Sequence, residues 1–273
     1  MLPRKHLSSL RRTPRRRHLS TSNQSASSAD AVRRDLRALL RDTAQPVAVV
    51  TSLMPAASSS VPKATSSPHS RFHGATLSSF TSIALDPHPL VAFSLRIPSR
   101  MATSLSSAHT SPPSPNSHPT PTPATSAAPA HASPHLPAQL VINILSAAQP
   151  AVAARFARPD LHADPFAHTP YALSTEGLPV LAGALGALSC RLVAASWPLH
   201  DLESLQGRES GARAWEGDGV ASELFIAQVT RVEEVPRLGQ EREAEDAAPL
   251  LYYRRAYATT RPLRDEPYHE KKP

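Results

Sequence analysis

Residues 73–100 constrain the fold of this chain more than any other stretch. A run rich in small and hydroxyl residues, including Thr76–Ser82, is followed by a proline-bracketed turn, Asp86–Pro89, and then by an apolar segment, Leu90–Leu95. The order predicts a strand, a turn, a second strand and a helix with Ser99 as its N-cap. Hydroxyl groups and backbone N–H groups beside a helix N-terminus bind phosphate groups. The stretch therefore favours a site for a phosphorylated cofactor.

Several other short apolar runs have the composition of β-strands. Each is rich in valine, isoleucine or leucine, and they are Pro46–Ser52, Leu140–Leu145, Gly186–Ala195, Glu223–Val232 and Leu250–Tyr253. Helical spacing is found over Asp30–Arg41, for which Asp30 is the predicted N-cap, and over Ala147–Arg158. Roughly six strands with few helices predict a mainly β fold, a closed or nearly closed β-barrel with helices at its edge.

Two low-complexity segments interrupt this pattern. Residues 54–70 are rich in proline, serine and alanine, and residues 106–137 hold nine of the chain's 29 prolines. Such segments bury too little apolar surface to order themselves, so both are predicted to be disordered loops within one domain. Another loop is expected over Trp197–Val220. The domain itself is predicted to span 30–260 and to be followed by a charged tail, 261–273.

The positive charge of the chain is concentrated at its N-terminus. The formal net charge is +7, and residues 1–29 carry seven basic side chains and no acidic one. Removing those seven from the 29 basic residues leaves 22, which equals the number of acidic residues. Because the rest of the chain is neutral overall, nucleic-acid binding by the folded part is not expected.

An arginine- and serine-rich leader without acidic residues is typical of an organellar transit peptide. The run Arg17-His18-Leu19-Ser20 resembles a mitochondrial processing site, so residues 1–29 predict import into the mitochondrial matrix. A disordered basic tail on a cytosolic protein is the alternative. No apolar run reaches the roughly 18 residues of a membrane span. A single cysteine, Cys190, excludes an internal disulfide and suits a reducing compartment.

Taken in order, several segments resemble the flavin reductase-like family, whose fold is an FMN-binding split β-barrel. The resemblance runs from about Leu36 to Tyr257. The residues that carry it are Pro46–Thr51, His73–Ser82, Leu85–Pro87, Leu140–Leu145, Gln149, Phe156, Gly177–Leu185 and Pro249–Arg254.

The resemblance implies a flavin oxidoreductase. In this family a flavin lies at a homodimer interface and is reduced by a nicotinamide dinucleotide, so FMN is the expected cofactor, FAD the alternative to it, and NAD(P)H the expected co-substrate. The family's flavin contacts would fall on Thr76, Ser78, Ser79, Phe80, Thr81, Ser99, Arg100 and Thr103, and Phe156 could line the ring or the ribose. The planar guanidinium of Arg100 suits a phosphate group. No side chain is assigned as a catalytic acid or base.

One segment departs from the family pattern. Where the family often has Gly-Asp-His, with the histidine near the nicotinamide, this chain has Ala221-Ser222-Glu223. A carboxylate at Glu223 would not favour an anionic dinucleotide. A non-enzymatic flavin-binding protein that lacks nicotinamide chemistry is therefore the alternative function.

Simpler interpretations of these residues stay open. The hydroxyl residues could only satisfy the backbone at a strand end, Arg100 could be a solvated helix residue, and Cys190 could pack as a small apolar side chain. His109, His118, His131 and His135 lie in the proline-rich segment without an i, i+4 pair on a helix, so no metal site is expected.

Overall fold

The computed structural model describes residues 22–54, 71–110, 138–193, 196–208, 221–237 and 248–261. By its internal contacts the chain divides into two units, Met1–Thr43 and Ala44–Pro273. Helix α1, Ser22–Arg41, belongs to the first. It begins at Ser22, so the predicted N-cap at Asp30 is wrong, because serine and alanine are tolerated inside helices. The rest of the predicted transit peptide, 1–21, lies outside the described residues.

The second unit is mainly β. Its strands are β1 Gln45–Pro46, β2 Ala48–Leu53, β3 Phe72–Leu77, β4 Thr81–Ala84, β5 Leu90–Ile97, β6 Leu140–Ile144, β7 Tyr171–Leu173, β8 Pro179–Leu181, β9 Gly186–Leu192, β10 Trp197–Pro198, β11 Ala221–Glu233, β12 Leu251–Tyr253 and β13 Ala256–Ala258. Its helices are α2 Arg100–Thr110, α3 Pro150–Ala157 and α4 Leu202–Leu205, with a 3₁₀ turn at Pro165–His168.

The main sheet is antiparallel and has the strand order β3-β2-β6-β9-β11-β5-β4, with β10 paired to β11. Strands β3 and β4 therefore lie at opposite ends of this order, yet only residues 78–80 join them along the chain. Three residues span at most about 11 Å, so the two ends must come together and the sheet must curl. The result is an open half-barrel, the split barrel expected from the sequence, with a seam between β3 and β5.

Side-chain hydrogen bonds cross this seam at one point. The Ser79 hydroxyl accepts from the Ser94 N–H at 2.9 Å and donates to the Ser94 carbonyl at 3.1 Å. It thereby takes the place of a missing backbone partner beside β5. The seam is open along the rest of its length, so the alternative of a fully closed barrel is wrong.

Apolar side chains fill the interior of the curl. Phe93 of β5 and Phe225 of β11 are opposite each other in register, and their rings stack with centroids 5.5 Å apart. Helix α2 covers one end of this core with Met101 and Leu105, both at most 1% exposed. The first turn of α2 is therefore fixed against the sheet by its own buried face.

Buried polar side chains attach the smaller elements to the sheet. The Asn143 amide donates to the Val49 carbonyl at 3.2 Å and accepts from the Leu181 N–H at 2.8 Å, which holds β8 against the sheet. The Gln149 amide donates to the Ala182 carbonyl at 2.8 Å at the start of α3. Fully satisfied buried groups of this kind fix a unique arrangement of elements.

Some predicted boundaries are wrong. Residues 106–110 continue α2, because the prolines that stop a helix begin only at Pro112; the rest of that insert and residues 55–70 lie outside the described part. The predicted loop after Trp197 contains β10 and α4, and β13 was not expected. Among the described residues, no helix is both long and apolar enough to cross a membrane.

Candidate functional site

A pocket of about 760 Å³ lies along the open seam. Strand β3 and the residues after it form one wall, and the end of β5 with the first turn of α2 forms the other. The C-terminal end of α3 and the β12–β13 hairpin also contribute. The lining residues are Val47, His73–Ser79, Ser94–Arg96, Pro98–Met101, Phe156, Ala157, Pro159, Ser222, Tyr252 and Tyr257.

The structure brings six of the nine predicted site residues together in this pocket: Thr76, Ser78, Ser79, Ser99, Arg100 and Phe156. The other three do not line it. Phe80 packs against the main core, Thr81 is exposed on edge strand β4, and the Thr103 hydroxyl donates to the Ser99 carbonyl at 3.1 Å. Phe80 and Thr103 are thus engaged by neighbours within the protein, in the apolar core and in the first turn of α2.

Most of the predicted hydroxyls have a structural partner. The Thr76 hydroxyl donates to the Ala153 carbonyl at 2.7 Å and so ties β3 to α3. The Ser99 hydroxyl accepts from the Ala102 N–H at 3.1 Å, which makes Ser99 the N-cap of α2, as predicted. Ser78 is exposed, and its hydroxyl has no hydrogen-bond partner among the described residues. These hydroxyls both shape the pocket and offer oxygen atoms to a ligand.

The pocket is cationic. Two arginines, Arg96 and Arg100, line it, and both are exposed, whereas no aspartate or glutamate is among its lining residues. Neither guanidinium is in an ion pair within the described part of the chain. Guanidinium groups and the free N–H groups of the α2 N-terminus both favour anionic ligands. The pocket therefore suits a ligand that carries phosphate.

His73 lies in the same pocket and is neutral at physiological pH. Burial, together with the positive charge of Arg100, lowers the pKa of its imidazole to about 4. A neutral imidazole has one N–H donor and one acceptor nitrogen. His73 can therefore hydrogen-bond to a ligand without adding charge.

Gly74 allows an aromatic ring to approach the backbone of β3. A Cβ atom at this position would lie 2.6 Å from two ring carbons of Phe156, well inside contact distance. Phe156 is held on its other side by Phe166, at 5.0 Å between ring centroids in an edge-to-face arrangement. The Phe156 ring is therefore a fixed wall of the pocket.

Fifteen of the 21 lining residues were not predicted as site residues, and among them are Arg96, Ser222, Tyr252 and Tyr257. The last two stand on the β12–β13 hairpin, with ring centroids 5.8 Å apart. At its turn, Arg254 and Arg255 have φ of 49° and 66°, the left-handed conformation that two-residue hairpins require. The run Tyr-Tyr-Arg-Arg-Ala-Tyr lacks the Asn-Gly signal of such a turn, so the sequence indicated only one strand here.

Glu223 is turned away from the pocket. Its carboxylate accepts from the Ser196 hydroxyl at 3.0 Å, and its neighbour Ser222 lines the pocket instead.

Cys190 is fully buried, and burial raises the pKa of its thiol to about 12, so it packs as an apolar side chain. Within the described residues no group of histidine, cysteine, aspartate or glutamate side chains could hold a metal ion.

Comparison with known proteins identifies the family. The flavin reductase like domain matches residues 40–261. This chain therefore belongs to the flavin reductase-like family, a family of flavin oxidoreductases.

Solved structures support the same fold. Nitrilotriacetate monooxygenase component B from Mycobacterium thermoresistibile is 21% identical, with a TM-score of 0.52 over 88% of this chain and 92% of that one. A candidate flavin reductase from Haemophilus somnus is 16% identical, with a TM-score of 0.50 over 83% and 97%. At these identities the likeness establishes the fold alone. No match is found among curated proteins.

The residues of the pocket fit a flavin nucleotide. Arg100 and the N-terminus of α2 suit its phosphate, while the hydroxyls and backbone of residues 76–79 suit the polar edge of a ring. Phe156 is 3% exposed and adds a small apolar contact, and the absence of a lining carboxylate among the described residues removes the main source of repulsion. The donor set therefore agrees with the family.

We predict that Gly74→Ala destabilises the protein. The added methyl group must displace the Phe156 ring, and overpacking of this kind costs about 1–3 kcal/mol in the free energy of unfolding. Gly186→Ala is the matched control, because a Cβ there meets nothing within 4 Å. Urea unfolding of both variants tests the prediction, and equal midpoints would contradict it.

His73 should make stability depend on pH. Its folded pKa of about 4 lies below its ordinary value of 6.5, so the unfolded state binds more protons between these values. Stability from this group is complete above pH 6.5 and is lost as the pH falls towards 4. We expect His73→Gln to lose less stability than the wild type between about pH 7 and about pH 5. His88→Gln, an exposed control, should follow the wild type; equal losses in all three proteins would refute the prediction.

Proposed function

We propose that this protein binds a phosphorylated flavin in the seam pocket and reduces it with a nicotinamide dinucleotide. The observation that carries the proposal is the pocket's composition: a capped helix N-terminus, a row of hydroxyls and two arginines that have no ion pair among the described residues, which also place no carboxylate in the lining. Membership of the flavin reductase-like family supports the same reaction.

Each wall of the pocket would have a separate task. Arg100, together with the first N–H groups of α2, would bind the phosphate by charge-assisted hydrogen bonds. The backbone of β3 and Ser78 would hydrogen-bond to the edge of the ring, and Phe156 would pack against the ligand. The remaining predicted residues, Phe80, Thr81 and Thr103, would not contact the ligand and would only support the elements that form the seam.

When bound, the flavin supplies the hydride chemistry, and it needs no acid or base from the protein. The chain's own part is to bind, orient and shield the reacting groups. Neutral His73 would add a hydrogen bond without adding charge to the pocket. The open side of the seam would admit the nicotinamide dinucleotide, NADH or NADPH.

The alternative, a flavin-binding protein without nicotinamide chemistry, was suggested by Glu223. Because that carboxylate bonds to Ser196 and lies outside the pocket lining, it does not oppose an anionic dinucleotide. The two functions are separated by anaerobic mixing with NADH or NADPH. Bleaching of the flavin absorption band supports the reductase, whereas a persistent yellow colour with both donors would establish the alternative.

Two further properties are proposed with the function. The protein would act as a homodimer, as the family resemblance implies, and light scattering that gives the mass of a monomer would contradict this.

Residues 1–29 would direct the protein to the mitochondrial matrix, given their charge pattern. A fluorescent fusion that stays cytosolic with those residues present would contradict the location.

We predict that Arg100→Gln weakens binding of FMN about tenfold, because a charge-assisted hydrogen bond to phosphate is lost. Binding of riboflavin, which has no phosphate, should change little. Quenching of flavin fluorescence measures both affinities. Arg237→Gln, at an exposed position outside the pocket, controls for net charge. Equal weakening of FMN and riboflavin would contradict the assignment of Arg100 to phosphate.

A further inference from the structure

The seam pocket holds more cationic and aromatic groups than one flavin mononucleotide requires. A monophosphate needs one guanidinium beside the α2 N-terminus, and Arg100 provides it. Arg96 lines the same pocket, is exposed, and is in no ion pair within the described part of the chain. It is therefore available for a second anionic group.

The two arginines lie at different points along the seam. Arg100 is close enough to His73, near the start of β3, to act on its charge. At the other end of the seam, Ser79 is bonded to Ser94. Arg96 follows Ser94 by two residues on β5, so about 7 Å of strand separates Arg96 from the contact with Ser79. Arg96 therefore lies between that contact and Arg100. The cations therefore form a row along the wall formed by β5 and α2.

Aromatic groups are also found at two places. The Phe156 ring rests on Gly74. The tyrosine pair, Tyr252 and Tyr257, lies towards the other end of β3. Tyr252 pairs with Gln45, which comes just before β2. The first residue of β2, Ala48, pairs with Leu77 at the end of β3. Gly74 and Leu77 are three residues apart, about 10 Å along a strand. The pocket can thus contact two separate aromatic ring systems.

We propose that Arg96 binds a second phosphoryl group, so that the pocket selects a flavin with a diphosphate and a second aromatic base, FAD, over the monophosphate FMN. This inference rests on the proposed function and refines it. Arg100 would hold one phosphate and Arg96 the other, with Tyr252 stacking on the base that FMN lacks. A cation contributes to selectivity when only one of two ligands can pair with it.

Titration of the full chain with FAD, FMN and riboflavin tests the inference. Wild-type protein should bind FAD more tightly than FMN. Arg96→Gln should lower the affinity for FAD about tenfold and change the affinity for FMN by no more than about twofold, because only FAD would lose a charge-assisted hydrogen bond. Arg96→Lys, which keeps the charge without the planar fork, should recover part of the affinity. Arg237→Gln should leave the affinity for each of the three flavins unchanged.

A second variant tests the aromatic part independently of charge. Tyr252 is 40% exposed, so Tyr252→Leu should fold, and it should weaken FAD but not FMN. Unchanged melting temperatures would show that the variants are intact.

The outcomes that overturn the inference differ from those that overturn the function. If wild-type protein binds no flavin, the proposed function fails, and the inference fails with it. If it binds FMN as tightly as FAD, or if Arg96→Gln weakens both equally, only the inference fails. It also fails if Arg96→Gln leaves flavin binding intact and raises only the KM for NADH or NADPH, because Arg96 would then contact the nicotinamide dinucleotide.

Discussion

The rest of the structure depends on the connection between the two ends of the main sheet. Residues 78–80 join β3 to β4, which are the first and last strands of the sheet order. So short a connection forces the sheet to curl, but the curl does not close with backbone hydrogen bonds. The Ser79 hydroxyl bridges the gap at Ser94, and the remaining opening is the pocket. Ser78 and Ser79 therefore belong both to the connection that determines the fold and to the lining of the site.

The charges of this unit are arranged so that the pocket stays cationic. Three carboxylates outside the pocket have partners of their own: Arg231 lies 2.6 Å from both Glu176 and Glu233, and Glu223 bonds to Ser196. Arg96 and Arg100 have no such partner within the described residues. Since pairing with an exposed carboxylate would compete with a phosphate, unpaired arginines at the pocket are consistent with anion binding.

Local sequence signals predicted much of the fold and part of the site. Apolar β-branched runs indicated the main strands, and the Pro-Ser pair before Arg100 indicated the start of α2, because both depend on neighbours in the chain. The contact of Gly74 with Phe156 joins residues 82 positions apart, so nothing near Gly74 in the sequence reveals it. Arg96 and Tyr252 reach the pocket through strand register and a hairpin without a standard turn signal. Thr103 was misplaced because its hydroxyl donates to the Ser99 carbonyl one helical turn earlier and does not line the pocket.

The central claim is that the open seam of this barrel is a flavin site whose phosphate lies at the start of α2. A crystal structure of the full chain with bound flavin tests this most directly. The account predicts that the phosphate contacts Arg100 and the N–H groups after Ser99, with the polar edge of the ring system beside residues 76–79. A flavin bound away from the seam, or one whose phosphate lies far from Arg100, would contradict it.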